Sequence, residues 1–262
     1  QAAHGADFVA WRGTFKRICY FFRHFPTVDR QVKLEIHACR VGDVIFLKEV
    51  VVPSEKKKTE ELKKIAYSGC KYAREITIND NISMSPYDCD EFYEVIGTCL
   101  LEHKMDKSYV LLCGGEVDAL NRTIKSGGTM YEIKQTSQSI SPSNVVQWLI
   151  QTAFIDVNNF VVGIRDDQFV VKKTAHYTSN ELRSVYKGIK NNSISEQHAY
   201  GLLHHILSKI KNQYLTKNGT ACRILMDPET SKNEIKIQMS KNPEETIPRI
   251  LSHQQFLDRF NV

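Results

Sequence analysis

Apolar positions recur along the chain with two different periods, and the changes between them mark out the elements. Val32-Lys-Leu-Glu-Ile-His-Ala38 and the apolar-rich run Val44 to Val52 are strand-like, and Val41-Gly42-Asp43 between them supplies a turn, so a β-hairpin is predicted. Pro53-Ser54 then opens Glu55 to Tyr67, where Leu62, Ile65 and Ala66 fall on one side of a helix and Lys and Glu elsewhere. A polar loop at 79–89 leads into Asp90 to Glu102, which reads as a helix. Tyr109 to Ala119 and Met130 to Gln135 read as strands, joined by a turn-rich connection from Asn121 to Gly128. Pro142 after Ser141 starts a helix in which Val145, Val146, Trp148, Leu149 and Thr152 recur at helical spacing. Phe160 to Ile164 and Phe169 to Lys172 flank the turn Arg165 to Gln168 as a second hairpin, Glu196 to Leu215 is a further helix, and Ile235 to Met239 a late strand. Phe8 to Phe25, aromatic and basic, reads as a turn followed by a strand or helix. Strands and helices intermix, and the hairpins join neighbours, so a mixed-sheet α/β or α+β domain is expected.

Composition narrows this picture without redirecting it. The 262 residues, 42% of them apolar, can bury a core as one large domain or two small ones, which excludes a disordered or collagen-like chain. The stretch Val145 to Val157 is broken by Gln147, Gln151 and Asp156, short of the roughly 20 clean residues of a membrane span, so a soluble chain with no membrane partner is expected. Thirty-five Lys and Arg against 30 Asp and Glu give +5, compatible with a phosphate-bearing partner but too little to demand one. Lys56 to Lys58 are nearly cancelled by Glu55, Glu60 and Glu61 and read as a solvated face. The seven cysteines are odd in number and form no Cys-x-x-Cys pair, so they read as reduced thiols rather than a zinc cluster. His204 and His205 read as partly buried structural residues, and Trp148 as core. The opening residues carry neither a basic nor an apolar run, so no signal peptide is expected there, and the sequons at Asn121, Asn192 and Asn218 read as chance.

The candidate chemistry sits on two of the predicted strands. Side chains alternate along a strand, so Glu116 and Asp118 share a face, as do Glu132 and Lys134. If the strands pair, three carboxylates and an ammonium converge, and repulsion among the acids calls for a hard divalent cation, Mg²⁺ or Mn²⁺. Two such metals bridged by Asp118 could polarise a phosphoryl oxygen and activate water, with Lys134 orienting the water or offsetting charge in the transition state. Asp118 followed by Glu132-x-Lys134 is the pattern of the PD-(D/E)xK nuclease superfamily. The same residues also fit a set of exposed cross-strand ion pairs. The apolar neighbours of Glu116 and Asp118 favour a buried site.

A wider set of motifs occurs in one order: Phe8-Val-Ala-Trp-Arg-Gly13, Gly114-Gly-Glu-Val-Asp118, Tyr131-Glu-Ile-Lys134, Trp148-Leu-Ile-Gln151 and Val161-Val-Gly-Ile-Arg165. The order resembles the DXO (decapping exonuclease) family of RNA 5′-end quality-control enzymes. The resemblance implies a single α/β domain over 1–262, with two mixed β-sheets flanked by helices and a PD-(D/E)xK nuclease-like core. It implies a monomer that binds divalent metal and an RNA 5′ end, acts in the nucleus or cytoplasm or both, and leaves room for a protein partner. Members hydrolyse triphosphate, incompletely capped or nicotinamide-capped 5′ ends, and many then degrade the RNA 5′ to 3′. Carried across by position, the metal-binding acids fall on Glu116, Asp118 and Glu132, and the lysine on Lys134. The glutamine near the metals falls on Gln151, and the arginine that meets RNA phosphate on Arg12. Arg12 could equally pair with a neighbouring acid, and Gln151 could be a helix-surface amide.

One position departs from the family. Its glycine-led motif, ending in a metal-binding glutamate, falls on Gly69-Cys70-Lys71-Tyr72-Ala73, which puts alanine where the acid should stand. Glu75 could serve instead if this segment is extended, but not if it is helical. Two functions therefore follow: a metal-dependent RNA 5′-end hydrolase weakened at Ala73, or a degenerate member that binds RNA ends or a protein without hydrolysis.

Overall fold

The computed structural model describes residues 5–21, 34–50, 59–77, 93–121, 128–137, 139–187, 195–227 and 235–251. The polar loop expected at 79–89 and most of the connection 121–128 lie outside them. The chain divides into two compact units, one made of 1–54, 96–115 and 193–262, the other of 55–95 and 116–192. Each is built on a mixed sheet with helices against it, as the interleaved periodicities predict.

The first unit centres on a short buried strand, β1 (Phe8–Trp11), which runs straight into helix α1 (Arg12–Tyr20). Strands β2 (Leu34–Val41) and β3 (Val44–Val50) form the predicted hairpin, and Gly42 takes the positive φ of 60° that its turn requires. Further along come β4 (Tyr93–Leu101), β5 (Tyr109–Val117), β10 (Ala221–Met226) and β11 (Ile235–Met239). The sheet order is β11-β10-β2-β3-β1-β5-β4, with β1 parallel to both β3 and β5. Helix α5 (Glu196–Lys209), capped by Ser195 and continued by a π turn at Ile210–Tyr214, packs on α1, and α6 (Pro243–Leu251) lies on β2, β3 and β10. His204 is buried and His205 exposed, so only the first fits the expected structural role. Asp90 to Glu102 is not helical: its described part is strand β4 at the sheet edge.

The second unit carries β6 (Ala119–Asn121), β7 (Thr129–Ser137), β8 (Asn159–Arg165) and β9 (Val171–Thr178), in that order across a four-stranded sheet. Strand β7 is antiparallel to β6 and parallel to β8, and β9 closes the second predicted hairpin with β8. Helices α3 (Pro142–Ala153) and α4 (Ser179–Lys187) cover one face through Val145, Trp148 and Leu149 against Phe160, Val162 and Leu182. Ser141 caps α3 by accepting from the Asn144 amide, with Pro142 at its first position. Helix α2 (Glu60–Thr77) covers the other face, where Tyr72 meets Ile133 and Val161. Among the described residues, no helix is long and apolar enough to cross a membrane.

Candidate active site

The site assembles on the α3 face of the second sheet. Glu132 and Lys134 alternate with Ile133 along β7 and pair with Phe160 and Val162 of β8, whose side chains point at α3; Ile133 points at α2. Glu132 is fully buried, and a carboxylate there must be held by donors. Lys134 Nζ forms an ion pair with its Oε1, and Gln151 Nε2, from the last turns of α3, donates to the same oxygen at 2.6 Å.

Asp118 stands at the bend between β5 and β6. The register of β6 on β7, Ala119 to Tyr131, brings it beside Glu132, and its Oδ2 accepts the Ile133 amide at 2.7 Å. The same oxygen lies 3.9 Å from Lys134 Nζ, so one ammonium sits between two carboxylates. Glu132, Lys134, Gln151 and Asp118 are thus brought together by one strand, its neighbour and one helix.

Glu116 does not join this hydrogen-bonded group. It is exposed on β5, with no hydrogen bond or ion pair to another described residue. Among the described residues, the carboxylates of Glu116, Asp118 and Glu132 do not meet as a trio within 4.8 Å. The burial expected of Glu116 and Asp118 from their apolar neighbours is also corrected. Gly115 and Val117 point inward, and alternation turns the two acids outward, so the buried acid is Glu132. Arg12 belongs to the first unit, as the opening residue of α1. Trp148 is core.

The segment carrying the missing acid is helical, and this decides the Glu75 alternative. Ala73 packs with Ala119 and Tyr131 against the Tyr72, Ile133 and Val161 cluster, whereas Glu75, two residues on, is turned about 200° around the helix and is exposed. Glu75 cannot replace an acid at position 73. It lines instead a cavity of about 500 Å³ on the α2 face, with Lys64, Tyr67, Lys71, Gln135 and Phe169. Sequence reading did not find this cavity, whose walls come from helix α2, from Gln135 of β7 and from Phe169 to Val171 at the start of β9. It contains none of the five predicted catalytic residues.

The atoms that Glu132 and Asp118 could offer a metal are carboxylate oxygens, which suit a hard cation such as Mg²⁺ or Mn²⁺. The chain matches the sequence model of RAI1-like PD-(D/E)XK nucleases, and the match runs over residues 1–256. The chain belongs to that family. It is 26% identical over 278 residues to the decapping nuclease dom-3 of Caenorhabditis elegans, covering 99% of this chain and 66% of that protein. To the decapping nuclease RAI1 of Mycosarcoma maydis it is 22% identical over 227 residues, covering 70% of this chain and 43% of that one. The chain therefore spans less than two thirds of the length of these relatives. Among solved structures it superposes on S. pombe Rai1 with a TM-score of 0.70 at 16% identity, over 90% of this chain and 72% of that one. It superposes on Candida albicans Rai1 in complex with pU5 and Mn²⁺ with a TM-score of 0.68 at 14% identity, over 97% and 74%. The fold is that of the Rai1 and Dxo1 nucleases, in a family of decapping nucleases whose solved members bind nucleotides, RNA and metal.

Proposed function

We propose that the whole chain acts as one decapping-exonuclease-like domain that hydrolyses RNA 5′ ends with a divalent cation, Mg²⁺ or Mn²⁺. Its substrates are triphosphate, incompletely capped or nicotinamide-capped ends, and 5′ to 3′ degradation can follow. The observation that carries the reading is the fully buried Glu132 held by Lys134 and Gln151, with Asp118 across the same ammonium. A buried acid paired with a lysine is costly to keep for stability alone. Asp118 and Glu132 would hold the cation, with Glu116 as a further ligand; a bound cation would supply Lewis-acid polarisation of the phosphoryl oxygen. Lys134 offsets charge gathering on the phosphoryl group, and Gln151 orients Glu132. Glu116, exposed and without a described partner, draws the proton from the attacking water. Arg12 carries the RNA-phosphate contact that the resemblance assigns to it.

Ala73 favours a second reading, in which the chain binds 5′ ends without cutting them. The helix fixes that alanine in an apolar cluster and turns Glu75 away, so Glu75 does not take the acid's place. One assay separates the two. The protein is incubated with 5′-triphosphate and capped RNA plus Mg²⁺ or Mn²⁺, beside Asp118→Ala and Ala73→Glu. Hydrolysis predicts a 5′ product that falls about a hundredfold or more in Asp118→Ala. Product appearing only in Ala73→Glu supports the degenerate reading, and product that persists in Asp118→Ala removes this site from the chemistry.

A further inference from the structure

The first unit holds a second group of ligand-type side chains, outside the family motifs. Glu102 to Ser108 connects β4 to β5, and this turn places His103 and Asp106 against His204 of α5. One donor atom from each of the three lies within 4.8 Å of the others. We propose that His103, Asp106 and His204 form a site for a borderline transition-metal ion, Zn²⁺ being the physiological choice, that clips the β4–β5 connection to α5.

Three features support this beyond proximity. His204 is buried, and its Nε2 lies 2.7 Å from the carbonyl oxygen of Lys107. A carbonyl can only accept, so Nε2 carries the proton and Nδ1 keeps its lone pair for a metal. This is the outer contact that metal-bound imidazoles usually make, and it fixes both tautomer and ring direction. Asp106 is oriented in the same way, its Oδ1 accepting the Lys107 amide at 2.7 Å and its Oδ2 left for the ion. Residue 107 thus supports two of the three ligands through its backbone.

The third ligand is adaptable. The His103 ring stacks on His204 with centroids 4.4 Å apart and planes at 18°. Stacked rings do not aim their lone pairs at one point, so His103 must rotate to close the site. His103 and Asp106 are both exposed, which makes that motion cheap, while His204 stays fixed against Tyr109. Two imidazoles and one carboxylate match the nitrogen and oxygen donors that Zn²⁺ takes at about 2.0–2.2 Å, with water at the fourth position. The same set suits Mg²⁺ poorly, since Mg²⁺ prefers oxygen donors throughout. The clip is therefore chemically distinct from the oxygen-lined site on β7.

The test is a calorimetric titration of the EDTA-treated chain with Zn²⁺ in excess Mg²⁺, alongside thermal unfolding with and without Zn²⁺. One Zn²⁺ should bind and raise the unfolding midpoint. His103→Ala and Asp106→Asn change exposed residues, so both should fold, yet each should weaken binding by roughly tenfold or more and lose the Zn²⁺-dependent rise. Co²⁺ should give a visible absorption band in the wild type that His103→Ala lacks. Absence of binding, or equal binding by the wild type and both variants, overturns the site.

Discussion

At the scale of single residues, the second unit is organised around the charge of Glu132. A fully buried carboxylate is tolerable only while its donors remain, and two of them, Lys134 and Gln151, meet one oxygen. Lys134→Met removes a cation from that environment, and urea unfolding should show a loss of about 3 kcal/mol. Adding Glu132→Gln to Lys134→Met removes the charge that needed the ammonium, so the double variant should recover part of the loss. Strictly additive losses would mean that the two side chains do not act as a pair. The acids and the lysine were legible in the sequence because all four fall in two short stretches, 116–118 and 132–134, where alternation alone assigns faces. Which acid is buried was not legible. Glu116 and Asp118 have apolar neighbours in sequence, but those neighbours point inward while the acids point out; Glu132 is buried by α3, which lies further along the chain.

At the scale of elements, helix α2 is fixed to the sheet through one aromatic ring. The ring of Tyr72 packs against Gly163 of β8, and its hydroxyl is 3.1 Å from Thr174 Oγ1 on β9. A Cβ at residue 163 would stand 2.6 Å from the ring, a distance no packed carbon tolerates, so glycine is needed here for close approach. Gly163→Ala should lower stability by about 1–3 kcal/mol, read by chemical denaturation. Combined with Tyr72→Leu, it should cost less than the sum of the two single changes, because the clash and the lost ring share one space. Hairpins and capped helices were readable because turn residues and a Ser-Pro cap announce them. Strand β4 was not. Its exposure alternates from Glu94 to Leu100, but Ile96 and Leu100 on the exposed face are apolar, so the hydropathy pattern carries no period of two. The Asp90, Glu91 and Glu94 acids then look like a helix start. The same error concealed the His103, Asp106 and His204 cluster, since a helix over 90–102 gives no reason to bring its end to α5.

At the scale of the whole chain, segments far apart in sequence are tied together in the first unit. β1 is the strand between β3 and β5, and Asp7 just before it forms an ion pair with Lys211, 204 residues away. The Asp7 Oδ2 also accepts the Val110 amide at 2.9 Å, so a single carboxylate joins the start of β1, β5 and the π turn after α5. Burial pushes its pKa up, but the hydrogen bond from Lys211, the Val110 amide and the charges of Lys211 and Lys107 outweigh it and hold the carboxyl below 3.8. A group whose folded-state pKa is lowered binds fewer protons folded than unfolded. Its stabilisation is therefore complete above 3.8 and is lost as pH falls from there through the folded value. Thermal unfolding midpoints measured from about pH 6 down to pH 2 should fall more steeply for the wild type than for Asp7→Asn, the two curves converging at the acid end. The variant should already be less stable at neutral pH, because Lys211 loses its partner there. Parallel curves would assign the acid sensitivity to other carboxylates and leave the closure of the first unit to its apolar core of Val9, Phe46 and Leu112.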